Sequence, residues 1–163
     1  MRKFLTFAFL LYGAVLFRIL FLGREAELSL SVPEYFFLYA NGCPGRTLFR
    51  YLSFFLAKRD RESFFLAFFN IGGNFLLFLP MGFFLPALFF RMRKPGRALG
   101  AVFPAVVLAE LFQGVLRIGV PDIDDLLLNL SGAYAGVRLA EIFGFCGNCC
   151  HRKPGLRIHF EKK

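Results

Sequence analysis

The 163-residue sequence is poor in the residues that build the catalytic centres of soluble enzymes. It has no Trp, two His, four Cys and 11 acidic residues. A Walker phosphate loop, a G-x-S-x-G nucleophile elbow and an H-E-x-x-H zinc motif are all missing from it. Four cysteines in a chain of this kind also do not make a disulfide framework. The sequence therefore gives no support to the familiar chemistries of soluble enzymes.

Apolar residues dominate the sequence instead. Hydrophobic residues make up 57% of the chain, and Phe alone occurs 25 times. Several mostly apolar runs reach the roughly 20 residues that a helix needs to cross a bilayer. We predict an all-α fold, a polytopic membrane helix bundle with about four transmembrane helices and one interfacial amphipathic helix, in a single domain over residues 1–163.

The net charge of +9 suits two classes of partner. A nucleic acid is one of them, but the Lys and Arg residues cluster beside the apolar runs, where orientation in the membrane is the simpler cause. We therefore predict membrane lipids as partners and no nucleic acid.

Four apolar segments are predicted to span the membrane, at residues 4–22, 64–90, 98–116 and 126–145. The first resembles a signal peptide, but its apolar core of about 19 residues exceeds the usual roughly 7 to 15, so we expect a retained helix. Arg18 near its end either snorkels to the interface or pairs with a buried acid. The second would measure ~40 Å as one helix against a hydrocarbon core of ~30 Å, and Pro80 and Pro86 predict a bend in it.

Residues 23–63 form a mixed segment that we expect on the extracytoplasmic side or in the membrane interface. A turn-forming cluster at 41–45 is followed, at 46–60, by arginines and apolar residues that fall on opposite sides of a helix. This pattern predicts a helix along the membrane surface with its arginines toward the lipid headgroups. A short re-entrant helix is the alternative.

Basic residues predict the orientation. They group at the N-terminus, in the loop after the second span and in the tail at 146–163, which would all lie on one side of the membrane. The positive-inside rule makes that side, and both termini, cytoplasmic. The segment at 23–63 opposes this assignment with basic residues of its own: Arg24, Arg46, Arg50, Lys58, Arg59 and Arg61.

The basic tail also holds three of the four cysteines, Cys146, Cys149 and Cys150, followed by His151. Their spacing resembles half a zinc site, which only a lone His159 could complete. Acylated thiols at a membrane exit are the other interpretation.

In this orientation the polar residues of the helices come to the same outer depth. Because ionisable residues inside membrane segments are costly to place, they indicate a functional site by default. We predict an outward-facing polar pocket, closed toward the cytoplasm by Phe and Leu. The candidate ligand-binding residues are Asn70, Asn74, Glu110, Gln113, Arg117, Asp122, Asp124, Asp125 and Asn129.

Structural roles for some of these residues stay open. Asp122 and Asp125 would also suit the cap and first turn of the fourth helix. Glu110 would also suit an ion pair with Arg117, because positions i, i+3 and i+7 of one helix share a face. The acidic residues would suit an oxygen-loving divalent cation, but their spacing matches no metal motif, and we predict no cofactor.

Two stretches resemble the VanZ-like family of small bacterial membrane proteins. Residues 70–82 have the pattern N-x-x-x-N-x-x-x-F-x-P-x-G. Glu110 and Gln113 form E-x-x-Q, and the stretch that starts at Asp122 has the pattern D-x-D-D-x-x-x-N-x-x-G. The order and separation of these motifs fit the family, and residues 64–145 form the motif-bearing part of the domain.

The founding member of that family is associated with resistance to the glycopeptide antibiotic teicoplanin. The resemblance implies a multi-pass protein of the bacterial plasma membrane with a role at the cell envelope, where it lowers the access of a lipoglycopeptide to the outer surface. We expect the polar pocket to bind a lipoglycopeptide or a lipid-linked cell-wall precursor. The resemblance implies no reaction, so we expect a binding protein rather than an enzyme. A membrane-embedded enzyme that uses a divalent metal on a lipid-linked envelope substrate is the alternative.

Overall fold

The structure, a computed structural model, describes residues 2–22 and 24–145, where the chain forms six α-helices and one short 3-10 turn. The elements are α1 (Arg2–Phe21), α2 (Val32–Tyr39), α3 (Arg46–Lys58), α4 (Arg61–Leu88), the 3-10 turn (Phe90–Met92), α5 (Pro95–Val115) and α6 (Ile123–Ile142). These residues contain no strand apart from an isolated extended bridge between Asn41 and Asp122. The prediction of an all-α helix bundle is confirmed. The cysteine cluster and basic tail predicted at 146–163 lie outside the described residues.

In this part of the chain, three helices are long and apolar enough to cross a membrane, namely α1, α4 and α5. They coincide with the first three predicted spans. The fourth predicted span forms α6, which has 20 residues, as α1 does. Its charged residues lie in its first turn and near its end: Asp124, Asp125, Arg138 and Glu141. They make α6 more polar than the other three.

Helix α4 is the centre of the bundle. It packs against α1, α3, α5 and α6, and it continues through Pro80 and Pro86 as one helix of 28 residues. Its first turn precedes the apolar run. Asp60 caps this turn by accepting a hydrogen bond from the Ser63 N–H (2.7 Å). The hydrogen bonds from Ser63 hold the pKa of the Asp60 carboxyl below its ordinary value.

Glycines bring α4 and α6 into backbone contact. A Cβ atom at Gly132 would overlap the carbonyl oxygen of Phe75, and one at Gly82 or Gly136 would overlap a carbonyl of the facing helix in the same way. Small residues at a helix interface allow this close approach, which gives van der Waals contact without bulky side chains. Gly82 and Gly132 are the last glycines of the two stretches that resemble the VanZ-like family. Both therefore serve this interface.

Tight contacts join the other helices to the α4–α6 pair. The Tyr12 hydroxyl of α1 donates to the Leu77 carbonyl of α4 (2.8 Å). The buried core lies where α1, α4, α5 and α6 meet and comprises Leu16, Leu20, Phe78, Val102, Val106 and Ala133. Phe78, from the first motif, is 1% exposed, so it serves the core rather than a site.

Helices α2 and α3 close one end of the bundle, and we call residues 32–58 the cap. Helix α2 packs against α5, and α3 packs against α4 and α6. Glu34 in the first turn of α2 accepts hydrogen bonds from the Ser31 hydroxyl and N–H, which lower the pKa of its carboxyl. The amphipathic helix predicted at 46–60 forms as α3.

The opposite end of the bundle collects basic residues. Arg2 at the start of α1 and Arg93 after the 3-10 turn line one cleft there, together with Phe143 and Phe145 beyond α6. The start of α1, the basic loop before α5 and the end of α6 therefore share this end. Two of the three predicted basic groups, at the N-terminus and in the loop after the second span, thus lie at one end, and the third, in the tail at 146–163, lies outside the described residues.

Candidate functional site

A polar cleft of about 710 Å³ lies between the cap, the middle of α4, the ends of α1 and α5, and the start of α6. We call it the polar cleft. Seven of the nine predicted site residues line it: Asn70, Asn74, Glu110, Gln113, Asp122, Asp125 and Asn129. The two others, Arg117 and Asp124, do not. Residues that are far apart in sequence thus converge at one end of the bundle.

Glu110 of α5 and Asp125 of α6 form the acidic pair of the polar cleft. Both are partly buried, and their charges repel each other. The backbone of Asp122 lies beside the Glu110 carboxylate, and the Asn74 side chain lies beside the Asp125 carboxylate. Arg24 supplies a favourable charge interaction to both acids. The pair keeps acceptor capacity for a cationic or hydroxyl group.

Asp122 fixes the start of α6 and also holds the loop before α3. Its Oδ1 caps α6 by accepting from the Asp124 N–H (2.8 Å), and the same atom accepts from Asn41 Nδ2 (3.0 Å). Its Oδ2 accepts from the Thr47 hydroxyl (2.5 Å). The capping role left open by the sequence thus applies to Asp122, whose carboxylate is occupied on both oxygens.

Asp124 also has a structural role, but at the start of α3. Its side chain is fully buried at the N-terminus of α3, where Oδ1 accepts from the Gly45 N–H (2.5 Å). Its Oδ2 accepts from the N–H groups of Thr47 (2.8 Å) and Leu48 (3.3 Å). A helix N-terminus carries partial positive charge and free N–H groups, so a carboxylate there is stabilised twice over. Asp124 therefore attaches the cap to α6 instead of facing the polar cleft.

Three amides contribute differently to the polar cleft. Gln113 is buried and donates from Nε2 to the Leu20 carbonyl of α1 (2.9 Å), and Asn70 donates to the Leu66 carbonyl of its own helix (2.7 Å). Asn129 lines the polar cleft and is 3% exposed, yet its Oδ1 accepts no hydrogen bond in the described structure. A buried polar atom without a partner is costly, which makes this oxygen a candidate ligand contact.

Arg117 is the predicted site residue whose position differs most from expectation. Helix α5 ends at Val115, so the i, i+7 relation to Glu110 does not apply, and Arg117 adopts a left-handed φ of 56°. It makes no ion pair with Glu110 in the described residues. Its guanidinium donates to the Leu30 carbonyl (2.5 Å) and its own carbonyl accepts from the Glu27 N–H (3.0 Å). Arg117 thus fastens the segment that precedes the cap.

Sequence reasoning missed the part of the polar cleft that the cap and the segment before it supply. These residues include Arg24, Tyr39, Asn41, Arg46, Thr47, Arg50 and Tyr51. The four-residue spacing of Arg46 and Arg50 is visible in the sequence, but it predicts a face toward lipid headgroups. No local signal showed that this face would close over Asp122 and Asp125.

The metal-enzyme hypothesis depends on one ion held by the acidic residues together. The carboxylates of Asp122 and Asp124 instead accept N–H and O–H donors, which leaves Glu110 and Asp125 facing the polar cleft. Within residues 2–22 and 24–145, no three His, Cys, Asp or Glu side chains form a metal-ligating group.

Comparison with protein families identifies a match. The VanZ/LLP1 family model matches residues 7–144, which include α1 and the cap as well as the motif-bearing helices. No curated protein and no solved structure matches the chain.

Proposed function

The chain belongs to the VanZ/LLP1 family, and we propose that it acts at the bacterial cell envelope by binding the polar head of an amphiphilic or lipid-linked ligand in the polar cleft. By holding such a ligand at the outer face of the plasma membrane, the protein lowers the access of teicoplanin to its target. The function is binding rather than catalysis.

The observation that carries this proposal is the unpartnered Oδ1 of Asn129 in the wall of the polar cleft. The acidic pair, Glu110 and Asp125, lies in the same cleft, together with Asn74. These groups would bind an amine or hydroxyl of the ligand: the carboxylates accept its hydrogen bonds, and the amides orient it.

The outward orientation is supported by the distribution of charge. The basic loop and the start of α1 share the end opposite the polar cleft, and the positive-inside rule makes that end cytoplasmic. The number of Lys and Arg residues in 23–63 conflicts with placing this segment outside. Arg24, Arg46 and Arg50 line the polar cleft, so they have a role of their own there.

The experiment that tests the proposal is teicoplanin and vancomycin susceptibility in a sensitive Gram-positive host. The wild type is expected to raise the inhibitory concentration of teicoplanin selectively, and Glu110→Gln and Asp125→Asn are expected to lose most of this protection at matched membrane levels. Glu62→Gln, an exposed acid in the first turn of α4 outside the polar cleft, is the control and should protect as the wild type does.

Protection by Glu110→Gln and Asp125→Asn equal to that of the wild type would refute a role for the polar cleft. Absence of protection by the wild type would refute the resistance role.

A further inference from the structure

The polar cleft carries charges of both signs, and they lie on different walls. Glu110 and Asp125 come from α5 and α6, whereas Arg46 and Arg50 come from α3 in the cap. The two arginines are four residues apart, so they share one face of α3. Neither forms an ion pair with an acid of the described chain. The cap wall therefore offers two guanidinium groups that form no ion pair with a carboxylate of the described residues.

The third arginine of the polar cleft, Arg24, belongs to the acidic wall. Its guanidinium lies against Gly119 and exerts a favourable charge interaction on Glu110 and Asp125. Its charge is thus partly used within the protein. Arg50 lies over the Tyr51 ring, with its Cζ 5.5 Å from the ring centroid, but this contact provides no counter-ion. The charges of Arg46 and Arg50 therefore remain for a bound anion.

An apolar strip borders the same polar cleft. Ile19 and Leu20 from the end of α1 and Phe69 and Leu77 from α4 line it, and both helices have the length and composition of membrane spans. A molecule with its polar head in the polar cleft could therefore lay an acyl chain along α1 and α4.

We propose that the ligand head carries a phosphate group beside an amine or hydroxyl group. Arg46 and Arg50 bind the phosphate, because guanidinium donors match phosphate oxygens in geometry as well as in charge. Glu110 and Asp125 bind the amine or hydroxyl, and Asn129 Oδ1 accepts its hydrogen bond. This inference rests on the proposed function, since it names the chemistry of the same ligand.

A competition experiment on the full chain in detergent tests this chemistry without any substitution. Radiolabelled dioleoylphosphatidylethanolamine is the probe, and the unlabelled lipid, dioleoylglycerol and O-phosphoethanolamine are the competitors. The unlabelled lipid should displace the probe and dioleoylglycerol, which lacks the phosphate, should not. Displacement by O-phosphoethanolamine as well would assign the site to soluble phosphate esters, and failure to displace would assign it to lipids. Equal displacement by dioleoylglycerol, or no saturable binding of the probe, would overturn the inference.

Substitution then locates the phosphate. The double variant Arg46→Gln/Arg50→Gln should lose about tenfold or more in affinity for the probe, because charge-assisted hydrogen bonds to phosphate are lost. The matched control is Arg91→Gln/Arg97→Gln, which removes the same charge from exposed positions at the opposite end. Control and wild type should bind alike.

The two proposals fail in different ways. Wild-type affinity in the Arg46→Gln/Arg50→Gln variant would overturn the phosphate assignment while the teicoplanin result for Glu110→Gln and Asp125→Asn stood. Should that variant not fold, the competition with dioleoylglycerol still decides, since it uses the unaltered chain. Phosphate-dependent binding without any protection from teicoplanin would support this inference and remove the resistance role.

Discussion

Three neighbouring aspartates have three different environments. Asp122 caps α6 and holds the loop before α3, and Asp124 is buried against the backbone of that helix start. Asp125 faces the polar cleft beside Asn74. Identical side chains in a single short motif thus divide between structure and candidate function according to the donors that each one meets.

Asp124→Asn should therefore destabilise the fold. The variant loses the carboxylate charge and turns an NH₂ group toward backbone N–H donors, so we expect a loss of about 2–4 kcal/mol. Asp125→Asn should change stability much less, because it removes a repulsion with Glu110. Thermal unfolding of the purified variants in detergent measures both. Equal losses in the two variants would contradict this division of roles.

Only some of the residues of the candidate site could be predicted from the sequence. Glu110, Asp125 and Asn129 were predictable because polar residues inside apolar segments stand out by themselves. The role of Asp124 was not, because its partners at Gly45 and Thr47 lie 79 and 77 residues away, and no local pattern reports such a contact. The position of Arg117 was not predictable, because helical spacing from Glu110 holds only within α5, which ends at Val115.

At the scale of elements, the α4–α6 contact depends on glycine. Gly132→Ala should force the helices apart at the Phe75 carbonyl and cost about 1–3 kcal/mol, as overpacking does. Gly100→Ala in α5 is the matched control, because nothing lies within 4 Å of its added Cβ. It should be neutral or stabilising by up to about 1 kcal/mol through helix propensity. Unfolding midpoints in detergent compare them, and a harmless Gly132→Ala would refute the backbone contact.

The helices themselves were largely predictable. Apolar length located α1, α4 and α5, and amphipathic spacing located α3. Helix α2 was not predicted, since Val32–Tyr39 is short and sits in a mixed segment. The docking of the cap onto the bundle also escaped prediction, because it depends on side-chain contacts between segments that are distant in sequence.

For the whole molecule, orientation can be tested with a cysteine that the chain already has. Cys43 is exposed in the loop before α3, at the end that we assign to the outside. A variant that keeps Cys43 and replaces Cys146, Cys149 and Cys150 by Ser should react with a membrane-impermeant maleimide in intact cells. The complementary variant, Cys43→Ser, should react only after permeabilisation. The reverse pattern would invert the topology and refute a polar cleft open to the exterior.

The bonds between Asp122, Asp124 and the cap also determine the order in which the molecule can be assembled. They join residues 75 to 81 positions apart. At about 5–20 residues per second, the ribosome makes the second partner on the order of ten seconds after the first. During that interval the start of α3 has no carboxylate to accept its N–H groups. The polar cleft is therefore completed only when α6 has been synthesised, so a chain that stops after α5 would contain α1 to α5 but not the complete site.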